Sequence, residues 1–544
     1  MANSDGDQGQ KQKREVAFSA LIFGLGTLVS RFAGFIRDAL VVAIFGREIT
    51  DSWYTAFKLP NMFRRLFGEG ALSVSFIPVF VDTKDNGSEA ELQRLINGVL
   101  TLLLLVVVFL ITLGFVFMEP IIQFWVGGQS GFAAIPGKVE QTVAMARIAI
   151  FFLFFILMFA YFMAILNGLK KFGMTGLAPA FLNLALIGGA LYAEFSGNIN
   201  GLVLPIAALV GGALQAGVLI PSLRKQGYLP KPTKDILNPK VRSVLKALGP
   251  SLLGLGIVQL TGIVNFKFAS LLEQGSITYL NIADRLLELP LSLIAVSLQT
   301  ALLPTLTGFY SKGQTAQMAE TANHYLRLNY YLALPCAAGL FFLGQPIIEV
   351  LFVWGKFSVE ESQITASILR IYAFTLLTAA GIRIISQSFY AMKNTLLPAK
   401  IATFSFFIHI GLAYYMTEQF GLQGLAGASL CTALINFSLL TVMFKRSIGS
   451  LQSSVTLKRL GLFLLALIPL CFATQVFGVL SELVIGFSEG AESLGGRALK
   501  AISLFLTIGL CAVLYFVSSR FLKIPEFNET IPPMLGKIRR KLRL

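Results

Sequence analysis

The sequence has 544 residues, of which 55% are hydrophobic and 13% charged, with a formal net charge of +16. Its mean hydropathy of +0.73 is too high for a soluble protein of this length. The composition excludes a water-soluble enzyme or binding protein and predicts a polytopic membrane protein.

Apolar runs of helix length recur along the chain and are separated by short polar stretches. No series of ten-residue segments with alternating hydrophobicity indicates a β-barrel. The expected fold is an all-α polytopic membrane protein with about 14 transmembrane helices. They lie near residues 16–45, 52–82, 95–125, 143–168, 176–195, 200–222, 243–272, 276–310, 319–345, 362–390, 399–417, 423–444, 457–484 and 497–519.

The first apolar segment carries Arg31, Arg37 and Asp38. Arg31 lies about 23 Å into a helix that begins near Val16, and Arg31 and Asp38, seven residues apart, share a helix face. A charge at that depth costs roughly 2.5–3.5 kcal/mol on insertion scales, so a water-filled cavity or an anionic ligand usually receives it. The segment is therefore a candidate substrate site, and the alternative is a helix end with a snorkelling arginine.

The second segment concentrates charged residues around Pro60. Proline removes a backbone donor and can kink a helix, which leaves carbonyl groups for water or a substrate. A kinked helix with net positive charge is expected to line the same cavity as the first segment. Its charged residues are Asp51, Lys58, Arg64, Arg65 and Glu69.

The eighth segment repeats this arrangement before Pro290. Arg285 and Glu288 are three residues apart, and Asp284 and Glu288 are four apart, so the three side chains are neighbours on one helix face. They form either a second part of the cationic cavity or a structural ion-pair network.

Lysine and arginine are concentrated in alternate connections between the helices. The asymmetry follows the positive-inside rule and predicts that both termini are cytoplasmic. The net positive charge is therefore explained by membrane topology and does not indicate nucleic-acid binding. The outer connections hold Arg47, Lys138, Lys356, Arg497 and Lys500. The cations at or within membrane segments are Arg31, Arg37, Lys58, Arg64, Arg65, Arg147, Lys267, Arg285, Arg327, Arg370 and Arg383.

Two pairs of stretches indicate an internal repeat. The match of FGEGALSVSFIPVF with LIAVSLQTALLPTL places Pro78 against Pro304, and a second match places Gly201 against Gly424. The similar offsets predict two six-helix lobes related by a parallel repeat, plus two C-terminal helices, and chance similarity of small-residue helices is the alternative. The expected domains are a cytoplasmic N-terminal tail (1–14), an N-lobe (15–223), a basic cytoplasmic linker (224–241), a C-lobe (242–447), helices 13 and 14 (456–520) and a basic cytoplasmic tail (521–544).

Five motifs carry a family resemblance: SRFAGFIRDALVVAIFG, TDSWYTAFKLPNMFRRLFGEGALSVSFIPVF, ADRLLELP, LFVWGKF and FYAMKNTLLP. Together they resemble the MurJ (MviN) family of bacterial lipid II flippases, of the multidrug, oligosaccharidyl-lipid and polysaccharide exporter superfamily. The resemblance covers most of the chain and is faint in the last two helices. It implies fourteen helices, two lobes around a cationic cavity, and two final helices that form a groove for the lipid tail.

By the same resemblance, four arginines contact the substrate, and several charged residues support them. Guanidinium groups pair bidentately with phosphate oxygens, which suits the diphosphate of lipid II. The substrate-binding residues are Arg31, Arg37, Arg64 and Arg285. The family's acidic positions correspond to Asp38, Asp51, Glu69 and Glu288, and the two charged segments add Lys58 and Asp284.

The expected function is to flip lipid II, an undecaprenyl-diphosphate-linked disaccharide peptide, from the cytoplasmic to the outer leaflet of the bacterial inner membrane by alternating access. No P-loop motif accompanies the helices, so no cofactor or ATP drive is expected, and the energy would come from a Na+ or H+ gradient or the membrane potential. Ligands for a coupling ion are unknown. Lys267 could replace or weaken such a site, or it could snorkel.

Several other functions stay open. The first two are a flippase for another polyprenyl-diphosphate-linked glycan and a drug/cation antiporter of the same superfamily, although the arginines disfavour a cationic substrate. A membrane enzyme acting on lipid-linked sugars is disfavoured by the short loops. The expected partners are lipid II and membrane lipids, without nucleic acid, and the sequence leaves open whether peptidoglycan synthases bind.

Overall fold

A computed structural model describes the backbone of residues 2–128, 131–236, 238–450, 452–487, 494–530 and 532. Within these ranges, side chains are described from residue 24 onward, except at residues 68–71, 74, 250–255, 257, 258, 295–297, 300, 301, 453, 476–487, 494 and 495. This part of the chain is helical and contains no strand. The expected all-α fold is confirmed.

Helices follow one another with short connections along the whole described chain. Up to residue 270 they are α1 (Ala2–Phe63), a π-helix (Arg64–Ala71), α2 (Leu72–Asn86), α3 (Glu89–Val116), α4 (Met118–Val126), a 3-10 helix (Gly131–Ala134), α5 (Lys138–Ala149), α6 (Phe152–Gly168), α7 (Gly173–Leu177), α8 (Pro179–Ser196), α9 (Val203–Gly217), α10 (Ile220–Gln226) and α11 (Pro239–Ser270). Beyond it they are α12 (Ser276–Ser311), α13 (Thr315–Phe352), α14 (Val359–Ala391), α15 (Leu396–Ser447), α16 (Ser453–Phe487) and α17 (Leu494–Phe521).

Nine helices within the described residues are long and apolar enough to cross a membrane. Each of the fourteen apolar segments in the sequence falls on helical structure, but segments rich in charge, such as residues 16–45, are not among the nine. A multi-pass membrane fold is therefore clear. The number of crossings remains a prediction.

Two long helices are broken by glycine. Gly46 in α1 has a φ of +66° and Gly421 in α15 has a φ of +57°, which is backbone that glycine adopts without the steric penalty of a Cβ atom. Each break separates two apolar segments that the sequence also separates. Because α1 begins at Ala2, most of the expected tail 1–14 is continuous with the first helix.

Contacts divide the chain into two units, residues 1–278 with 354–357, and residues 279–353 with 358–544. This boundary differs from the lobe division expected at residues 224–241. The difference arises because α11 packs against α2, α4 and the π-helix, all of the first unit. The expected lobes and their repeat remain predictions.

The basic linker is held against α3 in the first unit. The backbone N–H groups of Lys231 and Thr233 donate to Asn97 Oδ1 at 2.8 Å and to Thr101 Oγ1 at 2.9 Å. These two hydrogen bonds attach the linker to α3 and satisfy two of its backbone N–H groups. The expected linker 224–241 is therefore attached to the first unit at these two residues.

In the second unit, one core holds the last two helices against α13. Tyr331, Phe463 and Tyr515 are fully buried there, and the Tyr515 hydroxyl donates to the Tyr331 carbonyl oxygen at 2.8 Å. Burial of aromatic side chains is the largest apolar contribution that single residues make to such a core. The pair α16 and α17 therefore belongs to this unit.

A helical segment, residues 525–530, follows α17 and lies against α13. Glu526 is 3% exposed, with its Oε1 3.8 Å from Arg327 Nε, and Glu529 Oε2 lies 3.0 Å from His324 Nε2. The expected cytoplasmic tail 521–544 thus begins with a docked segment. Its basic residues, 537–543, lie outside the described residues.

Candidate functional site

Arg37 is held in a fixed orientation by groups from α1 and α8. Its Nε donates to Asp38 Oδ1 at 2.8 Å, and its Nη1 donates to Asn183 Oδ1 at 2.9 Å. Asn183 is 6% exposed and donates through Nδ2 to the Ser30 carbonyl oxygen at 2.8 Å. Because Ser30 precedes the half-buried Arg31, Asn183 spans the two turns of α1 that carry both arginines.

Sequence reasoning identified Arg31, Arg37 and Asp38 but missed Asn183. The only signal was a single amide side chain in the otherwise apolar stretch PAFLNLALIGGA of α8. An isolated polar residue in such a stretch seeks a partner inside the protein, because an unbonded amide in an apolar environment is costly.

Replacing Asn183 with alanine is expected to lower transport roughly tenfold or more, since a hydrogen bond to a charged group contributes about 1.5–3 kcal/mol. Arg37 would keep its hydrogen bonds to Asp38 but lose the bond from its Nη1 to Asn183. Transport by purified protein in vesicles is the measurement. Asn198→Ala, in the exposed loop after α8, is the matched control. Equal transport by both variants would contradict a positioning role for Asn183.

Arg64 lies at the start of the π-helix. Its Nε donates to Asn61 Oδ1, one turn earlier, at 2.9 Å. Pro60 stays within α1, so the irregularity begins four residues after the kink that the sequence suggested. π-helices are rare, and those that interrupt a long α-helix are often found at functional sites. The side chain of Glu69 lies outside the described residues.

Lys58 faces α11. Its ammonium lies 4.0 Å from the centroid of the Phe266 ring, a cation–π contact, and next to Gly262, where a Cβ atom would lie 3.4 Å from Nζ. The glycine therefore leaves room for the ammonium beside the ring. Lys58 is thus a packed cation of the first unit.

Asp51 lies in a separate buried cluster. Its Oδ2 is 3.1 Å from Lys138 Nζ, and the side chains are 2% and 3% exposed. The N–H groups of Gly275 and Thr278 donate to the Asp51 carboxylate at 2.8 and 3.0 Å, and the Thr278 hydroxyl donates at 2.7 Å. Asp51 therefore caps the N-terminus of α12. Lys138, which the sequence placed in an outer connection, is a buried counter-ion in α5.

In the second unit, α12 presents Asp284, Arg285 and Glu288. Arg285 and Glu288 are half-buried and Asp284 is exposed, and all three have electrostatic or hydrogen-bonding partners. Glu288 acts electrostatically on Arg383, a residue of α14. The charged residues of α12 therefore interact with a charged residue of α14. This is consistent both with a cavity lining and with an ion-pair network.

Lys267 has a structural partner. Its Nζ donates to the Gly127 carbonyl oxygen at 2.6 Å, just after the C-terminus of α4. A cation at the C-terminal end of a helix is favourable because the last carbonyl groups carry partial negative charge. Among the described residues, no group of three His, Cys, Asp or Glu side chains could hold a metal ion.

Comparisons with known proteins agree with one another. The sequence profile of the family described as "Lipid II flippase MurJ" matches residues 41–491. A "Probable lipid II flippase MurJ" of Bdellovibrio bacteriovorus is 40% identical over 508 residues, 93% of this chain and 95% of the relative. The "Lipid II flippase MurJ" of Burkholderia cenocepacia is 32% identical over 393 residues, 71% of this chain and 75% of the relative.

Two solved structures share the fold. A "Lipid II flippase MurJ, inward closed conformation" is similar with a TM-score of 0.70 at 24% identity, and the match covers 91% of this chain and 99% of that chain. An inward-facing multidrug resistance MATE family transporter of the MOP superfamily has a TM-score of 0.64 at 15% identity, with 76% and 95% covered.

Proposed function

Because the chain belongs to the MurJ family and is a transporter of the lipid II flippase class, we propose that its membrane arginines bind the diphosphate of lipid II. Lipid II carries this diphosphate between a disaccharide peptide and a polyprenyl chain. Guanidinium groups match phosphate oxygens in geometry and in charge. The proposed contacts are Arg31, Arg37, Arg64 and Arg285.

The observation that carries the proposal is the orientation of Arg37 by Asp38 and Asn183. An arginine in a low-dielectric site attracts a phosphate strongly, but it must be paired or solvated while the site is empty. Asp38 supplies the resting charge partner and Asn183 fixes the geometry. A diphosphate can then bind without first reorganising the side chain.

The proposed movement is alternating access, in which the headgroup crosses with the binding arginines while the lipid tail stays in the bilayer. In this proposal both termini are cytoplasmic, as the positive-inside rule predicts, and lipid II enters from the cytoplasmic leaflet and leaves to the outer leaflet. A Na+ or H+ gradient or the membrane potential drives the cycle, and a unit charge moved through 100 mV gains about 2.3 kcal/mol. Peptidoglycan synthases are proposed as partners that take up the product.

Depletion of the protein in its native bacterium tests this function. Lipid II is expected to become inaccessible to an added enzyme that cleaves it on the outer face, while it accumulates inside. Normal access to lipid II together with accumulation of another lipid-linked glycan would move the substrate to the sibling flippases. The decisive measurement is the cleaved fraction of lipid II in intact cells.

A further inference from the structure

Arg147 is a membrane cation that the proposed substrate path does not use. It lies in α5, is half-buried, and its guanidinium carbon is 5.9 Å from the centroid of the Phe115 ring. Its Nε is buried and has no hydrogen-bond partner among the described residues. A cation–π contact alone is a weak compensation for a charge at membrane depth.

The surroundings of Arg147 face lipid. Phe115 and Phe151 are each 44% exposed, and their ring centroids are 6.0 Å apart. Most side chains of α3, which carries Phe115, are not buried in the protein. In a membrane protein, exposed apolar side chains of this kind contact acyl chains. Arg147 therefore lies beside a lipid-facing aromatic pair.

The depth of Arg147 follows from the length of α3. The apolar stretch 95–116 of this helix is about 33 Å long at 1.5 Å per residue, close to the roughly 30 Å of the hydrocarbon core. Phe115 stands at the end of that stretch, so it lies at the boundary between hydrocarbon and headgroups. The guanidinium beside it is then level with the lipid phosphates.

A helix at the membrane interface follows directly. The short helix α4 buries Met118, Ile122 and Trp125 on one side, whereas Phe124 is 73% exposed on the other. This division is typical of a helix that lies in the headgroup region. It supports the same boundary, since α4 begins three residues after Phe115.

We propose that Arg147 binds the phosphate of a membrane lipid in the leaflet where α3 ends, while Phe115 and Phe151 contact the first part of its chain. A phosphate at this place would accept bidentate hydrogen bonds from the two terminal nitrogens of the guanidinium, which a lysine could not reproduce. With the proposed topology this is the outer leaflet. The lipid is either a bulk phospholipid or a polyprenyl diphosphate, and the site is independent of the central arginines.

Lipid retention by the purified full-length protein tests the proposal. The variants are Arg147→Gln, Arg147→Lys as a form that keeps the charge, and Arg94→Gln as a matched control at the exposed opposite end of α3. Each is loaded with phosphatidylglycerol in one arm and with undecaprenyl diphosphate in the other, and bound lipids are counted by native mass spectrometry. An Arg31→Ala background in both arms weakens binding at the central site.

The wild type and Arg94→Gln are expected to retain roughly one lipid more than Arg147→Gln, with Arg147→Lys in between. Loss of phosphatidylglycerol identifies a phospholipid, and loss of undecaprenyl diphosphate alone identifies a product-type lipid. Equal retention by all variants in both arms would overturn the proposal. Because the phosphatidylglycerol arm does not depend on transport, failure of the lipid II assignment would leave that arm unchanged.

Discussion

Replacing Arg31 with alanine is expected to lower lipid II translocation by roughly tenfold to a hundredfold or more while the protein stays in the membrane at its normal level. The reason is the loss of charge-assisted hydrogen bonds to the diphosphate, each of which contributes about 1.5–3 kcal/mol. Such a loss corresponds to a decrease of roughly ten- to a hundredfold or more. Translocation is measured in vesicles that hold the purified variant.

Two further variants make this result specific. Arg31→Lys keeps the charge but loses the planar fork, so partial activity is expected. Arg94→Ala removes an exposed arginine at the start of α3 and should leave transport unchanged. Full activity of Arg31→Ala would remove Arg31 from the proposed binding site, whatever the other arginines do.

Replacing Asp51 with alanine is expected to destabilise the protein more than replacing Lys138 with methionine. Without Asp51, the Lys138 ammonium stays buried without its partner, and the donors of Gly275 and Thr278 lose their acceptor. Removing one partner of a buried ion pair typically costs about 3–5 kcal/mol. Without Lys138, Asp51 still accepts the hydrogen bonds from the start of α12, so the loss is smaller.

Thermal unfolding in detergent measures this asymmetry. The double variant Asp51→Ala with Lys138→Met should be more stable than Asp51→Ala alone, because it removes the stranded charge. Glu140→Ala, an exposed carboxylate of the same helix as Lys138, is the control and should change stability little. A larger loss for Lys138→Met than for Asp51→Ala would show that the capping bonds do not stabilise Asp51.

The sequence was enough to locate the helices and the charged residues of α1 and α12. Long apolar runs specify helices in a membrane because every backbone group must be satisfied within the segment. For the same reason Arg31, Arg37 and Arg64 stand out, since each is costly in such a run. The all-α class and the membrane character followed from these local rules.

Partners distant in sequence could not be predicted in the same way. Asn183 is 146 residues from Arg37, and Lys138 is 87 residues from Asp51. Which helices contact one another depends on side-chain packing, and the spacing of residues along the chain does not predict those contacts. The π-helix was missed for a related reason, because proline marks a weak point in a helix but does not determine where the hydrogen-bond register changes.

The position of α11 in the first unit has a consequence for fragment complementation. The chain leaves this unit between Thr278 and Tyr279, inside α12, where no loop exists. A gene divided at the basic linker would therefore separate α11 from its packing partners α2 and α4. The N-terminal half would expose an uncovered helix face, and the two halves would have to assemble before either was complete.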